Sequence, residues 1–283
     1  MSKIVLVAET GADLTPELVK RYGIYIVPMH VTMGDVTKDD GSFPTEEICA
    51  FYDRTGQLPK TSGSSPEDFA RVFEEIHRVY PDKHILHLAY SAVTTVSYQN
   101  AKIAAEHMDF VTSVDTKHVS AGQTAVVVAM AQYLEEHPDT TPEEAVEVVH
   151  RLREKVHMCF VPDDLEYLRA GGRVSNVVCL GGRILNIHPC IDVVNGYLVG
   201  TKKYRGKLPK VVGSMVLEYS QLNHLKRDHI WLLASPGFPD EARAAAEEAA
   251  RQYGFQSMDW LKTGCVITTH GGPRAFGMAG MSE

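Results

Sequence analysis

The chain has 283 residues, of which 44% are hydrophobic, so it can fill two cores and we expect two domains. Its formal net charge is −8, and the absence of a lysine- and arginine-rich block argues against nucleic acid as a partner. The first apolar run, residues 4–8, is too short for a signal peptide, and no later run is long enough to span a membrane, so we expect a cytoplasmic protein.

The five cysteines indicate neither a disulfide framework nor a structural zinc site. Their number is odd, and no two of them form a C-x-x-C pair. We therefore expect reduced thiols packed in the cores, with no metal and no cofactor. The cysteines are Cys49, Cys159, Cys179, Cys190 and Cys265.

The first half of the chain alternates predicted strands and helices. A β-branched strand at 3–8 is followed by a helix at 14–23, for which Thr15 is the N-cap and Pro16 the first helical residue. This alternation predicts an N-terminal three-layer α/β/α domain with a mainly parallel sheet, spanning residues 1–156. The remaining strands are predicted at 24–33, 84–90 and 110–116, and the remaining helices at 65–80, 98–108, 121–137 and 140–156.

Glycines and short strands predominate after residue 156. This composition predicts a C-terminal α+β domain at 157–283, with a mixed or antiparallel sheet. The dipeptide Asn195-Gly196 predicts a hairpin turn. Helices are predicted at 209–222 and 240–254, and strands at 228–235 and 264–270.

A hydroxyl-rich loop precedes the helix predicted at 65–80. Thr61, Ser62, Ser64 and Ser65 bring hydroxyls together with free backbone N–H groups, which suits the binding of an anion. The alternative interpretation is structural: Ser65 caps the helix and the other hydroxyls face solvent. These residues alone leave both interpretations open.

His270 is a second candidate for anion binding. It ends the strand predicted at 264–270 and precedes Gly271 and Gly272, where the backbone can approach a ligand closely. Its imidazole can donate a hydrogen bond to a carboxylate, although a histidine at a strand end is also commonly structural.

The segment at 162–174 combines carboxylates with arginines and has two interpretations. The carboxylates suggest an acid–base site, but their spacing favours a helix with acids at its N-terminus, arginines toward its C-terminus and a Gly171-Gly172 stop. We prefer the helix. The acids are Asp163, Asp164 and Glu166, and the arginines are Arg169 and Arg173.

Four segments, read in order, resemble the DegV family, the fatty-acid-binding proteins of the fatty acid kinase system. Glu9 departs from the usual aspartate, Ser64 from a proline, and SAVTTVSYQ at 91–99 from the family's S-S-x-L-S-G-T-Y-Q. The segments are ETGADL at 9–14, KTSGSSPEDF at 60–69, FVPDDLEYLRAGGRVS at 160–175 running on to GGRILNIHPCI at 181–191, and ITTHGGPRAFG at 267–277.

The resemblance implies a carrier that holds a long-chain fatty acid between its two domains. The carrier would present the carboxylate to a separate dihydroxyacetone-kinase-like, ATP-dependent kinase, which phosphorylates it. The resemblance places Arg205 at the rim, where it serves the encounter with the kinase or the phosphorylated head group. We expect a monomer that contacts membrane surfaces only transiently. The implied carboxylate contacts are Thr61, Ser62, Ser91, Thr94, Thr95 and His270.

Three other function classes are alternatives to the carrier: a serine hydrolase, a nucleotide-binding enzyme and a lipid sensor. A serine hydrolase would use Ser62 or Ser91 with His270, but the chain has no G-x-S-x-G elbow. A nucleotide-binding enzyme would need a Walker or Rossmann glycine motif, and GGRVSNVVCLGG matches neither. A lipid sensor without catalytic partners shares every feature of the carrier.

Overall fold

A computed structural model describes residues 2–163, 165–172 and 187–283. The first part of the chain alternates strands and helices, as predicted. Its strands are β1 (Ile4–Glu9), β2 (Tyr25–Val27), β3 (His30–Met33), β4 (Val36–Asp39), β5 (Lys60–Ser62), β6 (His84–Ala89) and β7 (Val111–Asp115). Its helices are α1 (Pro16–Tyr22), α2 (Glu46–Thr55), α3 (Pro66–Val79), α4 (Ser97–Ala104), α5 (Ser120–Glu136) and α6 (Pro142–Lys155).

The parallel sheet has the order β2-β1-β6-β7 and is buried on both faces. Alternate residues of β1 divide between two cores: Ile4 and Leu6 pack with α5, while Val5 and Val7 pack with α3. This confirms the predicted three-layer arrangement.

Three helices of this part begin at the caps that their sequences indicate. The Thr15 hydroxyl accepts a hydrogen bond from the Leu18 N–H at the start of α1. Ser65 and Thr141 each form a capping box, at the starts of α3 and α6. The structural interpretation of Ser65 is therefore confirmed.

The single strand predicted at 24–33 is wrong, because Pro28 divides it. Proline has no backbone N–H to donate to a ladder. The chain leaves the parallel sheet after β2, and β3 joins a separate three-stranded antiparallel sheet of order β4-β3-β5. Thr61 and Ser62 accordingly lie on strand β5 rather than in a loop.

The second part of the chain forms a six-stranded mixed sheet of order β10-β9-β8-β13-β11-β12, with only β11 and β12 parallel. The predicted turn joins β9 to β10, with Asn195 at φ 50° and Gly196 at φ 86°. The mixed sheet and its helices confirm the predicted fold class. The elements are β8 (Val156–Val161), α7 (Leu165–Gly171), β9 (Ile187–Val194), β10 (Tyr197–Arg205), α8 (Leu208–Leu222), β11 (His229–Ala234), α9 (Asp240–Tyr253), β12 (Ser257–Lys262), α10 (Cys265–Gly271) and β13 (Phe276–Met281).

Helix α5 is buried on nearly all sides because it packs against both sheets. It contacts β1 of the parallel sheet and β8, β11 and β13 of the mixed sheet. Its apolar residues join the core that also contains Phe160 and Leu233. Within the described residues, no helix combines the length and the apolar character that crossing a bilayer requires.

The strand predicted at 264–270 is also wrong, because these residues form helix α10. The β-branched run at 266–269 favours a strand, but remote carboxylates cap this segment as a helix. Asp13 accepts the Gly264 N–H and Asp40 accepts the Cys265 N–H, each at 2.7 Å. Burial raises the pKa of both carboxyl groups.

Some predictions fall outside the described residues or at their edge. Asp164, Arg173 and Cys179 lie outside them, as do all the other residues at 173–186 in the glycine-rich segment. Gly172 follows α7 with φ 62°, which confirms the predicted helix stop. The boundary between residues 156 and 157 falls where β8 begins, and we retain it as a proposal.

Candidate fatty-acid-binding site

A cavity lies where the carboxyl ends of the parallel strands face the mixed sheet. The chain leaves β1 toward β2 and leaves β6 toward β7, so the adjacent strands β1 and β6 form a topological switch point. Gly11 follows β1 there, and a Cβ atom on it would lie 2.9 Å from the Tyr90 ring. Glycine at this position therefore lets Tyr90 and Met29 close one wall of the cavity.

Most of the cavity wall is apolar. The space between the lining atoms, including the mouth open to solvent, is about 840 Å³. The mixed sheet, strand β5 of the three-stranded sheet and helices α5, α7 and α10 contribute lining residues. The apolar lining includes Met29, Val119, Met158, Phe160, Leu168, Leu198, Leu233, Val266, Ile267, Ala275 and Phe276.

Five of the predicted contact residues line this cavity, and we call them the hydroxyl–histidine cluster. Thr61 Oγ1 and His270 Nε2 are hydrogen bonded at 2.8 Å, with the donor set by the histidine tautomer. This bond joins strand β5 to helix α10 across the junction between the first and second parts of the chain. The cluster consists of Thr61, Ser62, Thr94, Thr95 and His270.

Gly171 determines how closely His270 can approach α7. A Cβ atom on Gly171 would lie 2.3 Å from His270 Nδ1, which is far too close for any other residue type. The Gly171-Gly172 pair thus has two separate functions: Gly171 makes room for the imidazole, and Gly172 adopts the left-handed conformation.

The loop that departs from the family pattern still brings hydroxyls beside β5. A Cβ atom on Gly63 would lie 2.5 Å from both Thr95 Oγ1 and Ser97 Oγ, so strand end and loop are in close contact. The Ser64 N–H donates to Ser97 Oγ at 3.1 Å. Thr94 Oγ1 donates to the Ser91 carbonyl at 2.9 Å, which fixes the turn of the loop.

Ser91 and Arg205 are not among the residues that line the cavity. The buried Ser91 hydroxyl donates to the Gly196 carbonyl at 2.9 Å and so ties this loop to the tip of the β9–β10 hairpin. Arg205 is the exposed last residue of β10. Their roles as ligand or partner contacts stay predictions.

Glu9, which replaces the family's aspartate, is buried and contacts Tyr90, one of the residues that line the cavity. Its buried carboxylate accepts the Tyr90 N–H at 3.0 Å and the Gln123 side-chain amide at 2.9 Å. It also lies 3.2 Å from His87 Nε2, an ion-pair distance without hydrogen-bond geometry. Glu9 therefore anchors Tyr90, the residue just before the departing loop.

Ser120 and Thr263 also line the cavity and were not predicted. Ser120 Oγ donates to Asp13 Oδ2 at 2.5 Å, and Thr263 Oγ1 lies 2.8 Å from Thr268 Oγ1. Both residues belong to segments whose sequence signals only secondary structure. In the part of the chain that the structure describes, no lysine or arginine lines the cavity, so its polar donors are hydroxyls, backbone N–H groups and one imidazole.

The geometry does not favour the hydrolase alternative. A serine nucleophile needs a histidine nitrogen within about 2.6–3.2 Å. His270 Nε2 is bonded to Thr61 instead of Ser62, and the Ser91 hydroxyl is bonded to Gly196. The cavity therefore combines a mostly apolar wall with a cluster of hydroxyls and one imidazole.

Comparison with known proteins agrees with this description. The sequence model described as "Uncharacterised protein, DegV family" matches residues 3–283. A DegV domain-containing protein of Caldanaerobacter subterraneus is 28% identical, over 98% of each chain. A fatty acid-binding protein of Thermotoga maritima is 27% identical, over 72% of each chain. The structure of a fatty-acid-binding DegV family protein from Thermus thermophilus superposes with a TM-score of 0.88 at 28% identity, over 99% of each chain.

Proposed function

Since the chain belongs to the DegV family, we propose that it is a binding protein for a long-chain fatty acid. The acyl chain occupies the apolar part of the cavity, and the carboxylate meets the hydroxyl–histidine cluster. The observation that carries this proposal is the Thr61–His270 hydrogen bond in the wall of a mostly apolar cavity. The fatty acids bound by relatives in Thermus and Thermotoga support it.

Burial of the acyl chain supplies most of the affinity. Each methylene removed from water contributes about 0.8 kcal/mol, so roughly sixteen carbons contribute on the order of 10 kcal/mol before ordering costs are subtracted. The mixed sheet supplies part of this apolar wall, including Phe160 and Leu233. Helices α7 and α10 supply further apolar side chains, among them Leu168 and Ile267.

The hydroxyl–histidine cluster sets the orientation of the ligand. Hydroxyls and an imidazole N–H each donate one hydrogen bond to a carboxylate, and a hydrogen bond to a charged group contributes about 1.5–3 kcal/mol. A neutral acyl ester of equal length gains the same burial but accepts weaker hydrogen bonds. We therefore expect the free acid to bind more tightly than its methyl ester.

The site is tested by replacing Thr61 and His270 with alanine. Each variant should bind a long-chain fatty acid about tenfold to 100-fold more weakly, because it loses one hydrogen bond to the carboxylate. Bound lipid is measured by native mass spectrometry with lipid extraction, and affinity by calorimetric titration.

Matched controls are Thr37→Ala on strand β4 and His107→Ala, both at exposed positions. The controls should bind as the wild type does. Undiminished binding in both Thr61→Ala and His270→Ala would reject this placement of the carboxylate. A wild-type protein that neither carries nor takes up fatty acid would reject the function itself.

The second step of the proposal is presentation of the bound acid to a separate ATP-dependent kinase in the cytoplasm. The family resemblance supports this step, and so does the exposed guanidinium of Arg205, which can pair with a partner's carboxylate or with a phosphate. Arg205→Ala should lower the rate of acyl phosphate formation with a DegV-partner kinase and leave fatty acid affinity unchanged. Equal phosphorylation rates in the two proteins would remove Arg205 from this role.

A further inference from the structure

Two cysteines and an aspartate converge on the side of the mixed sheet that faces away from the fatty acid cavity. The Sγ atoms of Cys159 and Cys190 and a carboxylate oxygen of Asp192 all lie within 4.8 Å of one another. Cys159 lies on β8, and Cys190 and Asp192 lie on β9. The three side chains share one face because Cys159 pairs directly with Asp192 and Cys190 is two residues along the same strand.

The Asp192 carboxyl group is incompletely satisfied by the protein. Its Oδ1 atom is buried and makes no hydrogen bond within the described residues. The hydroxyls of Thr201 and Tyr219 face the group, but they leave this oxygen without a donor. A buried acceptor without a partner costs about 1–3 kcal/mol, and a bound cation would remove that cost.

Burial also disfavours the ionised forms of Cys159 and Asp192 when no cation is present. It raises the pKa of the Cys159 thiol well above its usual range, and it raises the pKa of the Asp192 carboxyl. A metal ion that binds here displaces the thiol protons to solvent and takes two thiolates and one carboxylate as ligands.

We propose that Cys159, Cys190 and Asp192 bind a zinc ion. Thiolates with one carboxylate match the borderline-soft character of Zn²⁺ and are poor ligands for Mg²⁺ or Ca²⁺. The ligand atoms of tetrahedral zinc are separated by roughly 3.3–3.8 Å. Side-chain rotations that move the three ligand atoms by about 1 Å therefore bring them to this separation.

A surface cavity gives the ion access to the site and leaves room for a fourth ligand from solvent. Cys190 and Asp192 line this cavity together with Thr201, Tyr219 and His224. Cys159 lies deeper and is fully buried. Three protein ligands with one open position would make this an exchangeable site rather than a closed structural one.

The ligands are invisible to a search for sequence motifs because they come from neighbouring strands. Zinc motifs place two cysteines within a few residues, whereas here the register of β8 against β9 brings distant residues together. The site is independent of the fatty acid proposal. Met158 and Phe160, which flank Cys159 on β8, point to the opposite face and line the acyl cavity.

The test uses cobalt chloride added to the full-length, metal-free and chemically reduced protein. Bound Co²⁺ should give a thiolate-to-metal charge-transfer absorption and the visible bands of a tetrahedral ion, and one equivalent of zinc should abolish them. Cys159→Ser and Cys190→Ser should lose the charge-transfer absorption. Asp192→Asn, which conserves volume, should weaken cobalt binding at least tenfold.

The matched control is Cys49→Ser, since Cys49 is half-buried on α2, outside this cluster. It should behave as the wild type does. A reduced wild-type protein without the charge-transfer absorption would overturn the proposal, as would an unchanged absorption in the Cys159 and Cys190 variants. If a serine variant fails to fold, Asp192→Asn decides, and cobalt affinity equal to that of the wild type would overturn the site.

Discussion

At the scale of single residues, the position of His270 depends on Gly171 being a glycine. Gly171 has no Cβ, and only this allows the imidazole to lie against α7 while Nε2 reaches Thr61. The sequence marks Gly171 and Gly172 as a helix stop, and that prediction is confirmed for Gly172. The second function of the pair was not predictable, because it depends on a histidine that lies about 100 residues further along the chain.

Replacing Gly171 with alanine should weaken fatty acid binding at least tenfold. The new methyl group would meet His270 Nδ1, so the imidazole must turn away and lose its bond to Thr61. The control is Gly172→Ala, where a Cβ atom meets nothing within 4 Å but φ is 62°. That variant should lose about 1–2 kcal/mol of stability with little change in affinity. Calorimetric titration and thermal unfolding measure the two effects separately, and equal affinity losses would contradict this reasoning.

At the scale of elements, local sequence predicts those segments whose stabilising contacts are local. The capping residues Thr15, Ser65 and Thr141 lie next to the helices that they begin, and all three helices form where predicted. Helix α10 was predicted as a strand because its β-branched residues are local, whereas Asp13 and Asp40, which cap it, are remote. Tertiary contacts override propensity here.

Replacing Asp40 with alanine should lower the free energy of unfolding by about 1–3 kcal/mol, since the Cys265 N–H loses its acceptor in a buried setting. Fatty acid affinity should fall as well, because α10 carries His270. Asp40→Asn retains an acceptor oxygen and should behave nearly as the wild type does, and Asp35→Ala, at an exposed turn, is the matched control. Urea unfolding measures the stabilities, and a stable Asp40→Ala variant would show that α10 needs no remote cap.

At the scale of the whole molecule, the sequence predicts the parallel and the mixed sheet but not the three-stranded sheet that carries Thr61. It also indicates the residues of the hydroxyl–histidine cluster, but not how these residues meet. Thr61 and His270 are 209 positions apart, and their contact depends on how the first and second parts of the chain pack together. The Ser91 hydroxyl bonds to the Gly196 carbonyl at the tip of the β9–β10 hairpin, a contact that no local pattern indicates. Helix α5 was predicted from its apolar sequence, and its place between the sheets explains that composition.

The free energy of unfolding should decrease as the pH is lowered from about 6.5 to 4, because of His118. This residue connects the loop after β7 to α6 through a hydrogen bond with the Arg153 carbonyl. Burial lowers the pKa of His118 to about 4, whereas its pKa in the unfolded chain is about 6.5. The unfolded chain therefore binds a proton in this range that the folded protein does not, and His118 costs up to about 3 kcal/mol near pH 4.

His118→Gln removes this titration. The free energy of unfolding of the variant should therefore rise relative to that of the wild type as the pH is lowered. Urea unfolding of both proteins across this range measures the difference. His157, Glu154 and Asp115 also interact electrostatically with His118 and are the same in both proteins. A difference that does not change with pH would contradict the assignment to His118.

The position of β13 bears on how the protein is assembled during translation. This strand is the last described element of the chain, yet it lies in the interior of the mixed sheet, between β8 and β11. A nascent chain that has already exposed β8 and β11 cannot join them until Phe276–Met281 has left the ribosome. The apolar surface of α5 that β13 covers stays open to water until then. The unfinished polypeptide therefore exposes apolar surface that the folded protein buries, and the cavity is complete only after β13, which contributes Phe276 to its wall, has been synthesised.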